Sequence, residues 1–146
     1  MDKLTYRSAE RSDIGESFAM ESLLVKQYED PTIVDLEHAL QWCRTKIEGN
    51  WEAYTCIYCN GQKAGYFHLI QQPDLRTELD DFLILPSFRH QGIGSAVLDQ
   101  ILHDTDEPIY LYVYQKNQRA VSFYTKKGFQ IERIVSPTRM ILKYRK

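Results

Sequence analysis

The segment FLILPSFRHQGIGSA, residues 82–96, is the most informative part of this 146-residue chain. It begins as an apolar run, passes a proline and reaches two glycines, Gly92 and Gly94. The segment therefore predicts a strand, a short turn and a helix that begins at the glycines. The apolar residues beyond the turn recur at the spacing of one helical face: Ile93, Ala96, Val97, Ile101 and Leu102.

The start of this helix is a candidate phosphate site. The first N–H groups of a helix have no partner within it, and the helix dipole places partial positive charge there. Glycines at that position let a phosphate approach the backbone closely. The simpler alternative for this segment alone is a glycine-containing turn that binds nothing.

Two common phosphate-binding loops do not fit the segment. A P-loop places a lysine after its last glycine, whereas Ser95 follows Gly94 here. A dinucleotide fingerprint needs a third glycine where this chain has Val97. The pattern that remains, Arg89-x-x-Gly92-x-Gly94 after a strand, resembles the acetyl-CoA pyrophosphate motif of the GNAT N-acetyltransferases.

A second segment, NQRAVSFYTKKGF at residues 117–129, resembles the same family independently. By itself it predicts a helix that Asn117 caps and Gly128 stops. It also matches the family pattern N-x-x-A-x-x-F-Y-x-x-x-G-F at every specified position. Because both motifs occur in the family's order, the chain is identified as a GNAT member.

Composition predicts one globular domain over residues 1–146, with 43% hydrophobic and 26% charged residues. The net charge of −2 argues against a nucleic-acid partner. No apolar run reaches the roughly 20 residues of a membrane span, and the N-terminus lacks a signal-peptide core. We therefore expect a cytoplasmic protein without a membrane partner, and exposed strand edges would allow a homodimer.

The three cysteines predict neither a disulfide framework nor a metal site. An odd number fits a reducing compartment. Cys56 and Cys59 form a C-x-x-C in a strand-like segment, where residues three apart point to opposite faces. The pair therefore cannot hold one metal, and we predict structural cysteines and no metal cofactor.

The element order predicts a mixed α/β fold, β-α-α-β-β-β-α-β-α-β-β. It is a GNAT-like, mostly antiparallel twisted sheet with helices on both faces. Asn60-Gly61 between two strand-like runs predicts a hairpin. The strands are expected at 4–8, 51–59, 63–70, 77–85, 109–114, 129–134 and 139–144, with helices from 13 to 28, from 34 to 47, after the glycines and from 117 to 127.

The resemblance implies acetyl-CoA as donor and a primary amine as acceptor, joined by direct attack on the thioester. The glycine segment would surround the pyrophosphate, and the end of the preceding strand would pair with pantetheine and present an N–H to the thioester oxygen. Asn117 would reach a pantetheine amide, and Arg119 would approach the nucleotide phosphate or remain a solvated surface residue. The implied cofactor-binding residues are Leu83, Ile84, Leu85, Arg89, His90, Gln91, Gly92, Ile93, Gly94, Ser95, Asn117 and Arg119.

The catalytic candidates are Tyr124, Asp80 and Glu78. By family resemblance Tyr124 would protonate the departing sulfur, and the alternative is a core aromatic. Glu78 and Asp80 share a strand face and would take the amine proton, whereas Asp81 is predicted to point away. A solvated strand edge explains these acids nearly as well. His68 is a further titratable candidate, or a satisfied sheet histidine.

The acceptor stays open at this point. Acidic residues at the junction of the first two helices, within residues 28–37, favour a cationic acceptor. The alternatives are a non-catalytic acyl-CoA-binding module and an enzyme that acetylates a protein lysine or N-terminus.

Overall fold

The elements of the fold follow the predicted order. The computed structural model describes residues 3–144, which form seven strands and four α-helices. None of these helices is long and apolar enough to cross a bilayer. The strands are β1 (Leu4–Ser8), β2 (Tyr54–Cys59), β3 (Gln62–Gln71), β4 (Thr77–Ile84), β5 (Ile109–Tyr114), β6 (Gln130–Ile134) and β7 (Arg139–Tyr144), and the helices are α1 (Ile14–Tyr28), α2 (Leu36–Asn50), α3 (Ile93–Asp104) and α4 (Gln118–Lys126).

One sheet contains all seven strands, in the order β1-β2-β3-β4-β5-β7-β6. Adjacent strands are antiparallel except β4 and β5, which are parallel. A parallel pair needs a crossover connection, and α3 supplies it. The predicted mixed, mostly antiparallel sheet is confirmed.

Local signals fix the ends of several elements. Asn60 and Gly61 have φ of 52° and 85°, as a tight hairpin turn requires. The Asp35 carboxylate caps α2 by accepting the N–H groups of Glu37 and His38. Gly128, with φ of 104°, follows α4 in the left-handed conformation that ends many helices.

The segment between α2 and β2 differs from the prediction. Helix α2 runs to Asn50, whose Nδ2 donates to the Lys46 carbonyl at 2.7 Å and so closes the last turn. Trp51–Ala53 then forms a 3-10 turn, so the strand begins three residues later than expected. The bond from Asn50 to the Lys46 carbonyl thus accompanies a helix that continues three residues beyond its predicted end at residue 47.

Two apolar cores lie on opposite faces of the sheet. One packs α3 and α4 against the sheet, and the other packs α1 and α2. Cys59 belongs to the first core and Cys56 to the second, and both are buried free thiols. The predicted opposite orientation of the two cysteines is confirmed.

Candidate functional site

A cleft opens where β4 and β5 separate. They pair only over their first two residues, Thr77–Glu78 with Ile109–Tyr110, although β4 continues to Ile84 and β5 to Tyr114. A cavity of about 600 Å³ lies along this opening, between α1 and α2 on one side and α4 on the other. Its size is that of a small-ligand site.

The N-terminus of α3 presents unpaired backbone N–H groups at the end of β4. Gly92 caps this helix with φ of 79°. The first bond into the helix runs from the Ala96 N–H to the Gly92 carbonyl, at 3.1 Å. Within the described residues, the N–H groups of 90–95 donate no hydrogen bond to the protein. Free donors at the positive end of a helix dipole are suited to an anion.

The loop before α3 is tied to the end of β4 and contains one non-glycine residue with positive φ. Arg89 donates through Nε to the Ile84 carbonyl at 2.9 Å, which ties the loop to the end of β4. His90 adopts φ of 63°, a region that is unfavourable for residues other than glycine. The side chains of Arg89, His90 and Gln91 are exposed. The loop therefore shapes the anion site through its main chain.

The end of β4 offers backbone groups that differ from those expected. Leu85 donates its N–H to the Ala64 carbonyl at 2.7 Å and accepts the Phe88 N–H at 2.9 Å. Because backbone groups alternate along a strand, Leu83 also faces β3, whereas Phe82 and Ile84 face the opening. Of the predicted strand-end residues Leu83, Ile84 and Leu85, Ile84 is therefore the one whose backbone faces the opening.

Asn117 and Arg119 stand at the start of α4. The Oδ1 atom of Asn117 accepts the Ala120 N–H at 3.2 Å, as the predicted helix cap. Its Nδ2 donor stays available, and the residue lines the cavity. Arg119 is exposed, and it forms no ion pair within residues 3–144.

Tyr124 reaches the cavity from α4. It is buried, with 9% of its surface exposed. No residue of the described chain forms a hydrogen bond with its hydroxyl group. Burial raises the pKa of Tyr124, so the group stays protonated at neutral pH. Its hydroxyl is thus an unengaged donor at the cavity wall.

A β-bulge overturns the predicted direction of Asp81. Strand β3 pairs His68 with Asp81 but Leu69 with Leu79, so Asp80 is an extra residue on β4. A bulge inverts the alternation of side chains beyond it. Asp80 and Asp81 therefore both face α1 and α2, and the expectation that Asp81 points away is wrong.

Lys46 of α2 binds both carboxylates. Its Nζ lies 3.3 Å from Oδ2 of Asp80 and 3.0 Å from Oδ2 of Asp81. Burial alone would lower the pKa of Lys46, but the charges of Asp81, Asp80 and Glu21 outweigh it and raise the pKa. Sequence reasoning missed Lys46, because it lies 35 positions before Asp81 and no local pattern connects them.

Two aromatic side chains complete this cluster. His68 is buried, and its Nδ1 lies 2.9 Å from Oδ2 of Asp80. The Tyr54 hydroxyl donates to Asp81, and its ring stacks on His68 at 4.4 Å between centroids. Burial tends to raise the pKa of Asp80, but the His68 bond and the Lys46 charge lower it overall. Asp80 is thus held as an anion.

Glu78 sits at the point where β4 and β5 part. It accepts hydrogen bonds from Gln72 Nε2 at 3.0 Å and from the Tyr110 hydroxyl at 3.3 Å. Burial and the negative charge of Asp80 raise the pKa of Glu78 above its ordinary value. A carboxylate with a raised pKa is a stronger base than an ordinary one.

A second carboxyl with a raised pKa comes from α1. Glu21 lines the cavity and accepts a hydrogen bond from the Tyr66 hydroxyl at 2.9 Å. Burial, and then the nearby charge of Asp81, raise the pKa of Glu21 to about 8. No sequence signal distinguished Glu21 from the other acids of an amphipathic helix.

The described part of the chain contains no group of three or more histidine, cysteine or acidic side chains placed to hold a metal ion. Amine, carboxyl, guanidinium and phenol groups line the cavity.

Comparisons with known proteins agree with this architecture. An uncharacterised N-acetyltransferase of Mycobacterium tuberculosis is 36% identical over 76 residues, which is 49% of each protein. The match thus spans about half the length of this curated relative. The paia N-acetyltransferase of Thermoplasma acidophilum, solved in complex with coenzyme A, aligns with a TM-score of 0.73 and 18% identity over 99% of both chains. An N-acetyltransferase of Staphylococcus aureus aligns with a TM-score of 0.74 and 12% identity, over 96% of this chain and all of that one.

The family assignment follows from these matches and from the two motifs. The acetyltransferase (GNAT) family matches residues 18–129, well over half of the chain. That range includes the separated strands, the glycine loop and Tyr124. The chain belongs to the acetyltransferase (GNAT) family.

Proposed function

We propose that this protein is an acetyl-CoA-dependent N-acetyltransferase that acetylates a primary amine of a small molecule or peptide. The observation that carries the proposal is the row of unpaired N–H groups at residues 90–95, beside a cleft that contains Tyr124 and five carboxyl side chains. A pyrophosphate bound at the N–H groups of 90–95 and an amine bound in the cleft would bring the thioester and the acceptor together between β4 and β5.

The donor would lie in the opening between these strands. Its pyrophosphate would accept the N–H groups of 90–95, with Arg89 and Arg119 adding positive charge. Pantetheine would pair with the free edge of β4 at Phe82 and Ile84, since Leu85 is already bonded to β3 and to the next turn. The Nδ2 group of Asn117 would donate to a pantetheine carbonyl.

The chemical step needs a neutral amine and a stabilised leaving group. The amine nitrogen attacks the thioester carbonyl carbon, the C–S bond breaks, and the sulfur leaves with the electron pair. The Tyr124 hydroxyl would donate a proton to this sulfur. A backbone N–H of the β4 edge would stabilise the developing oxyanion.

The contacts of Asp80 and Glu78 support different roles for these two acids. Asp80 is paired with Lys46 and His68, so it would attract the cationic amine more than remove its proton. Glu78 has a raised pKa and no cationic partner among the described residues. We therefore assign proton removal to Glu78, directly or through a water molecule.

Cofactor binding and turnover test this proposal separately. Calorimetry should detect coenzyme A binding, and amines should release free thiol from acetyl-CoA. Tyr124→Phe should lower thiol release by about 100-fold, the usual contribution of a general acid, with cofactor affinity unchanged. Tyr58→Phe is the matched control and should retain full activity, because Tyr58 lies on β2 beside Arg7 and does not line the cavity.

A non-catalytic cofactor-binding module predicts a different result. Such a protein would bind coenzyme A and release no thiol with any polyamine, aminoglycoside, amino acid or peptide. That outcome would refute the enzyme and leave the cofactor site standing. Absence of cofactor binding would refute both.

A further inference from the structure

Arg139 is the cation of the cavity that has no counter-charge. The other cation, Lys46, is neutralised by Asp80 and Asp81. Arg139 lines the same cavity, yet it forms no ion pair within residues 3–144. Its Nε is the one buried side-chain nitrogen or oxygen of the described residues without a hydrogen-bond partner.

The aromatic rings around Arg139 pack against its guanidinium group but accept no hydrogen bond from it. Its central carbon lies 5.1 Å from the ring centroid of Tyr112 and 5.6 Å from that of Tyr114. Tyr28, the last residue of α1, stacks on Tyr114 at 5.9 Å. Aromatic faces stabilise a guanidinium but leave its in-plane N–H donors free.

A carboxylate of the same cavity is engaged with the residue before Arg139. Glu29 lines the cavity, and its Oε1 accepts the Thr138 hydroxyl at 2.5 Å. A buried donor without a partner costs stability, and such groups in native proteins call for an explanation such as a ligand. The donors of Arg139 have the fork geometry that matches a planar carboxylate.

Arg139 lies away from the anion site at the start of α3, so a ligand of Arg139 would belong to the acceptor and not to the cofactor. Arg139 pairs with Tyr114 in the sheet, on the strand beyond β5, and its tyrosine contacts lie on the face of α1. The free N–H groups that suit a pyrophosphate lie at the start of α3, which packs on the opposite face of the sheet.

We propose that Arg139 binds a carboxylate of the acceptor, so that the preferred substrate carries both an amine and a carboxylate, as an amino acid does. This inference rests on the proposed function. The acids of the cavity would hold the ammonium end, and Arg139 would hold the anionic end. Five acidic side chains line the cavity, so a singly charged carboxylate fits better than a phosphate dianion: Glu21, Glu29, Glu78, Asp80 and Asp81.

The test compares acceptors that differ only in the carboxylate. A small, an aromatic and a basic amino acid are each assayed for thiol release beside their amides and their decarboxylated amines. The wild-type protein should prefer the carboxylate form in kcat/KM by about 10- to 100-fold, as expected for a hydrogen-bonded charge pair. Most of the difference should appear in KM.

Two variants and a control connect this preference to Arg139. Arg139→Met should remove the preference for the carboxylate form, whereas Arg139→Lys should retain part of it. Arg133→Met removes an exposed charge from the neighbouring strand β6 and should change nothing. A wild-type protein that favours the amides, or an Arg139→Met variant that keeps the preference, would overturn the proposal.

Equilibrium binding separates this proposal from the proposed function. The same ligand pairs are titrated by calorimetry into the protein with and without coenzyme A, a measurement that needs no turnover. Tighter binding of the amino acids, lost in Arg139→Met, supports the subsite even if no thiol is released. Acetylation of amines with equal binding of acids and amides refutes the subsite and leaves the acetyltransferase intact.

Discussion

The anion site at the start of α3 and the cavity between β4 and β5 present different kinds of functional group. At the start of α3, the functional groups are backbone N–H donors of one contiguous segment, and the side chains of Arg89, His90 and Gln91 are exposed. In the cavity between β4 and β5, the charged side chains come from α1 and its C-cap, α2, β4 and β7. Tyr54 of β2 donates a hydrogen bond to Asp81, and His68 of β3 contacts Asp80.

This difference predicts how each end responds to mutation. A backbone site tolerates side-chain changes unless they add charge or bulk in front of the N–H groups. A buried charge network fails when one partner is removed, because the remaining charges lose their compensation. The following substitutions are chosen to test that contrast.

The largest effect is expected for Lys46→Met. It leaves Asp80 and Asp81 buried without their shared cation, and we expect a loss of roughly 3 kcal/mol in the free energy of unfolding. Urea denaturation measures the change. Lys26→Met, at an exposed site on α1, is the control and should alter stability by less than about 0.5 kcal/mol.

The same network allows a rescue. Asn at both Asp80 and Asp81 in the Lys46→Met background removes the uncompensated charges and should recover part of the lost stability. If the combined variant is no more stable than Lys46→Met, the ion pairs do not hold this half of the cavity together.

The next effect concerns the backbone half. Gly94→Asp places a carboxylate in the first turn of α3, where the helix dipole accepts it, so the fold should keep its melting temperature. The added charge should weaken coenzyme A binding on the order of 100-fold by repelling its phosphates. Calorimetry measures the affinity.

Gly94→Ala separates charge from bulk in this test. A Cβ at Gly94 would lie 3.5 Å from Cγ1 of Ile84, an ordinary contact. Affinity should therefore fall much less than in Gly94→Asp. Equal losses in the two variants would mean that space, and not the anion site, limits cofactor binding.

A further effect is expected in the pH dependence of stability. Because Glu21 has an ordinary pKa of 4.5 and a folded pKa of about 8, the folded protein keeps a proton between these values that the unfolded chain releases. The free energy of unfolding therefore decreases from about pH 4.5 to pH 8. Glu21→Gln should be stabilised relative to wild type at pH 8 more than at pH 5.

Melting temperatures at pH 5, 6.5 and 8 measure this effect. Glu37→Gln, on the exposed surface of α2, should follow the wild-type curve throughout. Parallel curves for wild type and Glu21→Gln would contradict the raised pKa of Glu21.

The smallest effect is expected for His90→Gly. Glycine removes the strain of the positive φ at His90, worth roughly 1 kcal/mol, but it also makes the unfolded chain more flexible. The melting temperature should shift by a few degrees at most, with coenzyme A affinity within threefold. A large loss of affinity would show that the His90 side chain, and not the loop backbone, contacts the cofactor.

The parts that were predictable share a physical origin. Glycines, caps and turn residues act over a few positions, so the α3 loop, the Asn60-Gly61 hairpin and the end of α4 at Gly128 followed from neighbouring residues. The misplaced direction of Asp81 came from a bulge opposite His68, which depends on how β3 and β4 register. The bond from the Leu85 N–H to the Ala64 carbonyl likewise depends on the pairing of β3 with β4.

Sequence by itself determined the order of the elements, the family and the backbone donors of the glycine loop, because these depend on local conformational preferences. Tertiary structure alone brought Lys46 to Asp80 and Asp81, raised the pKa of Glu21 and left Arg139 unpaired beside two tyrosines. Electrostatic interactions depend on distance in space and on burial, and neither is encoded by proximity along the chain.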